Sequence, residues 1–388
     1  MKKIRLLTVV GARPQFIKAA ALSRSFLSHY SDRVEEKIVH TGQHYDAGMS
    51  DVFFEELGIP APAFHIQSGP GGHAVQTARM LEGLEEVFLR EAPDCVLVYG
   101  DTNSTLAGAL AASKLGIPLV HVEAGLRSFN KAMPEEINRI LTDHVSSLLF
   151  CPTVTGMQHL RQEGFKDFPT GPWHADRPGF FLSGDVMYDN ALYFREKAFA
   201  TMTEWFRNLN LEENGFILAT VHRNLNTDNP ENLKNIIIAF SQIHHASGQP
   251  VYWPLHPRTR KMMAEFGQND PFFAGSEFEG IQFSEPLSYL QMVMLESSCN
   301  MILTDSGGVQ KEAYFYRKPC VVLRSETEWT ELVDCGAAVL ANPANDSVAE
   351  KALEMLQTGF SAPDGFYGSG NAAAFIAETI VGNFSSGK

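Results

Sequence analysis

The chain has 388 residues, 44% hydrophobic and 20% charged, the composition of a soluble globular protein and more length than one core of ordinary size uses. Its formal charge of −14 argues against nucleic acid as a partner, and no apolar run approaches the ~20 residues that a membrane-spanning helix needs. Five scattered cysteines, Cys95, Cys151, Cys299, Cys320 and Cys335, form no C-x-x-C pair, which argues for a reduced compartment and against a structural metal.

The opening residues read as a strand rather than a secretory segment. Their apolar stretch stops at Gly11-Ala12-Arg13-Pro14 with no small-residue cleavage site behind it. Strands are expected at Ile4–Val10, Lys37–His40, Cys95–Tyr99, Leu119–Glu123 and Leu148–Cys151, separated by amphipathic stretches such as Thr77–Arg90 and Leu106–Leu115. That alternation predicts βαβ units and a parallel sheet. Proline and glycine over Phe168–Gly179 read as a surface loop, and a helix is expected near Asp189–Ala198. A second alternating series follows at Phe216–Thr220, Val251–Leu255, Ile281–Phe283, Asn300–Thr304 and Cys320–Leu323. The expected architecture is α/β, with two Rossmann-like doubly wound domains, 1–190 and 191–370, joined near 185–210. Ligands of such sheets collect beyond the strands' carboxyl ends, so the site is expected in a cleft between the domains.

Several strand ends carry chemistry. Gly11 permits a tight turn after the first strand, Pro14 suits a first helical turn, and Arg13 and Lys18 lie near a helix start, where anions are favoured. The alternative is an ordinary turn with two solvated cations. Asp101 sits at the carboxyl edge of the strand Cys95–Tyr99, and strict alternation would put His121 and Glu123 on one face of the strand after it. Glu135 falls in the first turn of a helix whose apolar positions Ile137, Ile140, Leu141 and Val145 are expected to point inward. Glu136 reads as a plain first-turn residue.

In the second half His222 closes a strand, and His256-Pro257-Arg258-Thr259-Arg260 adds cations after another. Ser306, Gly307 and Gly308 join a strand to a helix and offer a hydroxyl and bare N–H groups to a phosphate, with Glu312 a turn later for ribose hydroxyls. A capping box is the competing account; the double glycine favours the phosphate cradle. There is no G-x-G-x-x-G fingerprint, so a nicotinamide cofactor is not indicated.

Taken in order, Gly11-Ala12-Arg13-Pro14, Thr41-Gly42-Gln43-His44, Gly100-Asp101-Thr102, His121–Arg127, Pro134–Arg139, His222-Arg223 and Asp305–Gly308 resemble the non-hydrolysing UDP-N-acetylglucosamine 2-epimerase family nearly end to end. The resemblance implies two Rossmann-like domains in the glycosyltransferase-B arrangement, a cytoplasmic homodimer, and a C-terminal helix from about 371 that returns to the first domain. It implies Asp101, Glu123, Glu135 and His222 as catalytic groups. As substrate contacts it implies Arg13, Lys18, His44, Arg139, His256, Leu287, Met292, Ser306, Gly307, Gly308 and Glu312, with no metal and no cofactor. Gln15 stands where the family usually has glutamate, a change expected to matter little. Trp329 stands where UDP-GlcNAc enzymes usually carry an arginine. That change, with His256–Arg260 and Gly184–Asp189, resembles the branch acting on UDP-2,3-diacetamido-2,3-dideoxyglucuronate. Because Tyr45-Asp46 follows Gln43-His44, regulation by a second UDP-sugar is not carried over. The expected reaction expels UDP from C1 as C2 loses its proton, then re-adds UDP with protonation from the other face. Rival readings are a hydrolysing epimerase, a glycosyltransferase of the same fold and a non-catalytic nucleotide-sugar-binding protein.

Overall fold

A computed structural model of the chain describes residues 2–43, 54, 56–274 and 278–385. The chain divides into two compact units, Met1–Asn190 with Gly365–Lys388, and Ala191–Asp364.

The first unit is built on seven parallel strands: β1 (Ile4–Val10), β2 (Val34–His40), β3 (Phe64–His65), β4 (Cys95–Tyr99), β5 (Leu119–Val122), β6 (Leu148–Cys151) and β7 (Gly179–Leu182). Their order is β3-β2-β1-β4-β5-β6-β7. Every residue of β4, β5 and β6 is buried, as a sheet covered by helices on both faces requires, and this is why these strands read as unbroken apolar runs. Chain order reverses between β1 and β4. The crossovers leave that point in opposite directions and open a crevice at the carboxyl ends.

The second unit repeats the design with β8 (Ile217–Thr220), β9 (Val251–Pro254), β10 (Ile281–Ser284), β11 (Met301–Thr304), β12 (Cys320–Val322) and β13 (Ala338–Leu340). All pairs are parallel in the order β10-β9-β8-β11-β12-β13, with the reversal between β8 and β11. Its core is one cluster around Phe240, Trp253, Ile236 and Leu303.

Helix Val186–Thr201 carries the chain from the first unit into the second, and helix Ala372–Ser385 rejoins the first. Asp189 accepts hydrogen bonds from the N–H groups of Ala372 and Ala373, both 3.1 Å, capping the returning helix with a carboxylate.

Three sequence expectations are corrected. The expected loop Phe168–Gly179 ends in strand: Gly179 opens β7, paired with β6. β5 stops at Val122, and Glu123 adopts a left-handed φ of 74°, so alternation no longer governs where its side chain lies. Helix Pro134–Val145 follows only part of its apolar pattern: Val145 packs on the core and Ile140 is half-buried, but the rest of the pattern does not turn inward. It buries Glu136, Asn138, Arg139, Thr142 and Asp143, while Ile137 and Leu141 are exposed. The polar face wins because Glu136, Asn138, Asp143 and the terminal nitrogens of Arg139 are hydrogen-bonded to neighbouring groups, which offsets most of the usual cost of burying them.

Candidate functional site

At the first reversal, the turn after β1 is locked to the start of helix Asn103–Lys114. A Cβ on Gly11 would sit 2.0 Å from Ser104 Oγ and 2.2 Å from Thr41 Oγ1, so only glycine fits. Gln15 is buried and joins the two strands: its Oε1 accepts from Gly11 N at 2.8 Å and its Nε2 donates to Tyr99 O at 2.9 Å and Thr105 Oγ1 at 3.0 Å. A carboxylate has no hydrogen for those last two bonds, so the amide here is structurally specific. This position matters more than its sequence context suggested.

Helix Arg13–His29 starts at Arg13 and carries Lys18 one turn on. Lys18 Nζ is ion-paired with Glu123 in the crevice, and Gly100, at φ 63°, leaves the room: its Cβ would lie 3.0 Å from Glu123 Oε2 and 3.3 Å from Lys18 Nζ. Asp101 is ion-paired with Arg139, whose other arm donates to Glu136 Oε2 at 2.9 Å. Burial works against the Arg139 charge, yet Asp101 and Glu136 together raise its pKa. Glu136 also accepts from the backbone N–H groups of Ser128 and Phe129, both at 2.9 Å. It is thus a buried brace for the 126–133 loop rather than a plain first-turn residue. These contacts, with burial opposing them, hold its carboxyl below the usual range. Glu135 is solvent-exposed on the first turn of the same helix. His44 lies outside the described residues.

At the second reversal Asp305 ties β8 to β11. Its carboxylate accepts from His222 N at 3.1 Å, Arg223 N at 3.0 Å and Asn226 Nδ2 at 3.0 Å. Helix Gly307–Phe315 begins directly after it, and Ser306, its N-cap, makes no side-chain capping bond. The capping-box alternative therefore fails. The first-turn N–H groups keep no side-chain cap and stand at the positive end of the helix dipole, an anion site in form. His222 is half-buried with Nδ1 3.4 Å from Asp305, and its ring lies 5.5 Å from that of His256, the exposed N-cap of helix Pro257–Phe266 that follows β9. Arg223 and Arg324 both pair with Glu328, which stands 3.7 Å from where a Gly307 Cβ would be. Leu287 and Met292 are half-buried beside the start of helix Tyr289–Ser298. Glu312 is half-buried on helix Gly307–Phe315, and the buried Glu296 carboxyl is pushed well up by desolvation and by Glu312.

Sequence reasoning missed Asp143 and Glu296 as parts of this framework, and it singled out Gln15 and Trp329 only as departures from the family's usual residues. Glu296 carried a signal, an acidic residue in the otherwise apolar helix Tyr289–Ser298; the ties of Gln15 and Trp329 became legible only once the contacts were known.

Two doubly wound units, each with a glycine-bearing turn at its reversal and one with an uncapped helix start, define a protein built to hold a phosphorylated nucleotide. Residues 28–381 match the family described as UDP-N-acetylglucosamine 2-epimerase, and the chain belongs to that family. It is 47% identical to the UDP-2,3-diacetamido-2,3-dideoxy-D-glucuronate 2-epimerase of Pseudomonas aeruginosa, over 97% of this chain and 99% of that one. It is 46% identical to a UDP-N-acetylglucosamine 2-epimerase homolog of Methanococcus maripaludis, again over 97% and 99%. Among solved structures, the Methanocaldococcus jannaschii UDP-GlcNAc 2-epimerase in complex with UDP-GlcNAc and UDP superposes with a TM-score of 0.81 at 38% identity, covering 98% of this chain and 99% of that one. The family is one of epimerases, so the chain is an isomerase.

Proposed function

We propose that this chain inverts C2 of a UDP-activated 2-acetamido sugar, UDP-GlcNAc to UDP-ManNAc, without hydrolysis, for cell-surface polysaccharide precursors. The observation that carries this reading is the uncapped start of helix Gly307–Phe315, a ready cradle for a diphosphate, in a chain whose first unit presents ion-paired carboxylates at its own reversal.

The chemistry sets what is needed. The C2 hydrogen is not next to a carbonyl, so simple deprotonation would leave an unstabilised carbanion. Loss of UDP from C1 with the C2 proton avoids this: the C1–O bond breaks, a C1–C2 double bond forms, and the diphosphate departs as an anion. Re-addition of UDP and protonation from the opposite face complete the inversion. Ser306, Gly307 and Gly308 would hold the diphosphate and Glu312 the ribose. His222 and Arg13 would stabilise the charge that develops on the leaving group, preorganised electrostatics of the kind that often dominates catalysis. Asp101, Glu123 and Glu135 supply proton acceptor and donor, with Lys18 and Arg139 setting the charge around the first two. Arg139 is buried with both terminal nitrogens on carboxylates, so it would act through Asp101. No redox cofactor enters the scheme.

One observation favours a second substrate: the 47% identical relative is named for UDP-2,3-diacetamido-2,3-dideoxy-D-glucuronate. Incubation of each UDP-sugar in heavy water, followed by NMR, separates the readings. Deuterium at C2 with the UDP linkage intact is expected, and the sugar that acquires it is the substrate. Free sugar and UDP in equal amounts would mean hydrolysis, and no label from either sugar would overturn the proposal. We place the enzyme in the cytoplasm as a homodimer, in which a second copy covers the exposed Ile137 and Leu141; sedimentation of Leu141→Glu tests this.

A further inference from the structure

His121 lies within the buried strand β5 and is fully enclosed, as is Asp143. A core histidine held as the neutral ring matches one donor and one acceptor. His121 meets two acceptors: its Nδ1 lies 2.7 Å from Asp143 Oδ1, and its Nε2 lies 2.8 Å from the carbonyl oxygen of Gly100. Neither partner brings a hydrogen when Asp143 is ionised. Burial opposes that ionisation, but His121 and Arg127 hold the Asp143 carboxyl below its usual range. Arg127, itself enclosed, donates to Asp143 Oδ2 at 2.7 Å and to both oxygens of Glu163 at 2.6 and 2.7 Å.

The contacts fall on the two turns that carry the proposed proton-transfer groups. The Gly100 carbonyl belongs to the peptide whose N–H is that of Asp101, so fixing its oxygen fixes that peptide plane. Asp143 Oδ2 accepts from Gly125 N at 3.1 Å, closing the turn that begins at Glu123. Gly100, Glu123 and Gly125 all have positive φ, at 63°, 74° and 78°; the glycines adopt this readily, but for Glu123 it is a sparsely populated conformation that persists only where the surroundings hold it.

We propose that His121, carrying hydrogens on both ring nitrogens, is a positioning residue that with Asp143 sets Asp101 against Glu123 for proton exchange at C2. The proposal rests on the reading of Asp101 and Glu123 as proton-transfer groups. It does not extend to UDP, which the second unit's own groups would hold.

The test has two arms. In the wild-type protein with selectively ¹⁵N-labelled histidine, the His121 ring is expected to show two bonded hydrogens at pH 7; a neutral-ring signature overturns the proposal whether or not any variant folds. In the second arm, His121→Asn and Asp143→Asn are compared with Asp101→Asn for UDP binding and for deuterium incorporation into the nucleotide sugar. A small misplacement of reacting groups costs on the order of 100-fold. Exchange in both variants should fall by that order with UDP affinity unchanged. Wild-type exchange in His121→Asn, with Asp101→Asn inactive, sinks the positioning role alone. Wild-type exchange in Asp101→Asn sinks the catalytic reading beneath it.

Discussion

The indole Nε1 of Trp329 donates to the carbonyl oxygen of Gly307 at 3.0 Å, while the Lys311 ammonium sits over the same ring, 4.2 Å from its centroid. The residue that departs from the family's usual arginine is therefore built into the turn we assign to the diphosphate. Thr327 adds a second tie, donating to Gln310 Oε1 at 2.5 Å, and Gln310 in turn donates to Ser306 O at 3.2 Å. Trp329→Phe keeps the ring for Lys311 and deletes the N–H. One net hydrogen bond corresponds to about 1 kcal/mol, so UDP should bind roughly fivefold more weakly by calorimetry. Unaltered affinity would show that the turn holds its shape without the indole.

Arg139 bridges two carboxylates, Asp101 and Glu136, and is itself almost fully enclosed. Arg139→Met would strand the Glu136 charge, whose side chain is 1% exposed. Breaking such a pair from one side costs about 3 kcal/mol or more, to be read as a shifted urea midpoint. Arg139→Lys should recover little, because one ammonium does not span both carboxylates as the guanidinium fork does. Full stability in Arg139→Lys would contradict that account.

Much of this was legible before any coordinates. The strand cores, the two alternating series and the chemical residues at strand ends follow from runs such as Cys95–Tyr99 and Met301–Thr304, because a parallel sheet covered on both faces needs uninterrupted apolar strands. Helix Pro134–Val145 was misread because apolar periodicity assumes that polar groups prefer water. Here Glu136, Arg139 and Asp143 find better partners inside. Glu123 was misread for a different reason, since one left-handed residue ends the alternation that a strand imposes. β3 spans two residues, too few for any period to register. The ties of Gln15 to Tyr99 and of Trp329 to Gly307 join residues 84 and 22 positions apart, beyond the reach of local pattern.

Gly100 offers a sharper probe of the first crevice. Its φ of 63° and the proximity of Glu123 Oε2, 3.0 Å from an added Cβ, make alanine doubly unfavourable. Gly100→Ala should cost about 1 kcal/mol of stability or slightly more. Deuterium exchange at C2 should drop by about 100-fold, because the methyl group pushes on the Lys18–Glu123 pair. UDP affinity should stay as in the wild type. A variant that binds UDP poorly would mean that the crevice also shapes the nucleotide site.

The capping carboxylate Asp189 makes the fold sensitive to pH. Burial pushes its pKa up to about 6, with Asp185 adding to the rise and the N–H groups of Ala372 and Ala373 opposing it. For an acid whose folded-state pKa is raised, the folded state binds the proton more tightly than the unfolded chain. The associated stability is complete below the unfolded value near 3.9 and is lost as pH rises through about 6, a change on the order of 3 kcal/mol. Glu136 and Asp143, whose values are lowered, act in the opposite sense and lose stability as pH falls. The wild-type curve therefore mixes both, and the difference from Asp189→Asn isolates one. The amide oxygen can accept from one of the two N–H groups and does not ionise, and the bond lost with the second oxygen is a constant offset at every pH. Stability of Asp189→Asn minus that of wild type should rise between pH 4 and 7 and then level off. A flat difference, measured by urea unfolding across that range, would mean that Asp189 titrates alike in the folded and unfolded chain.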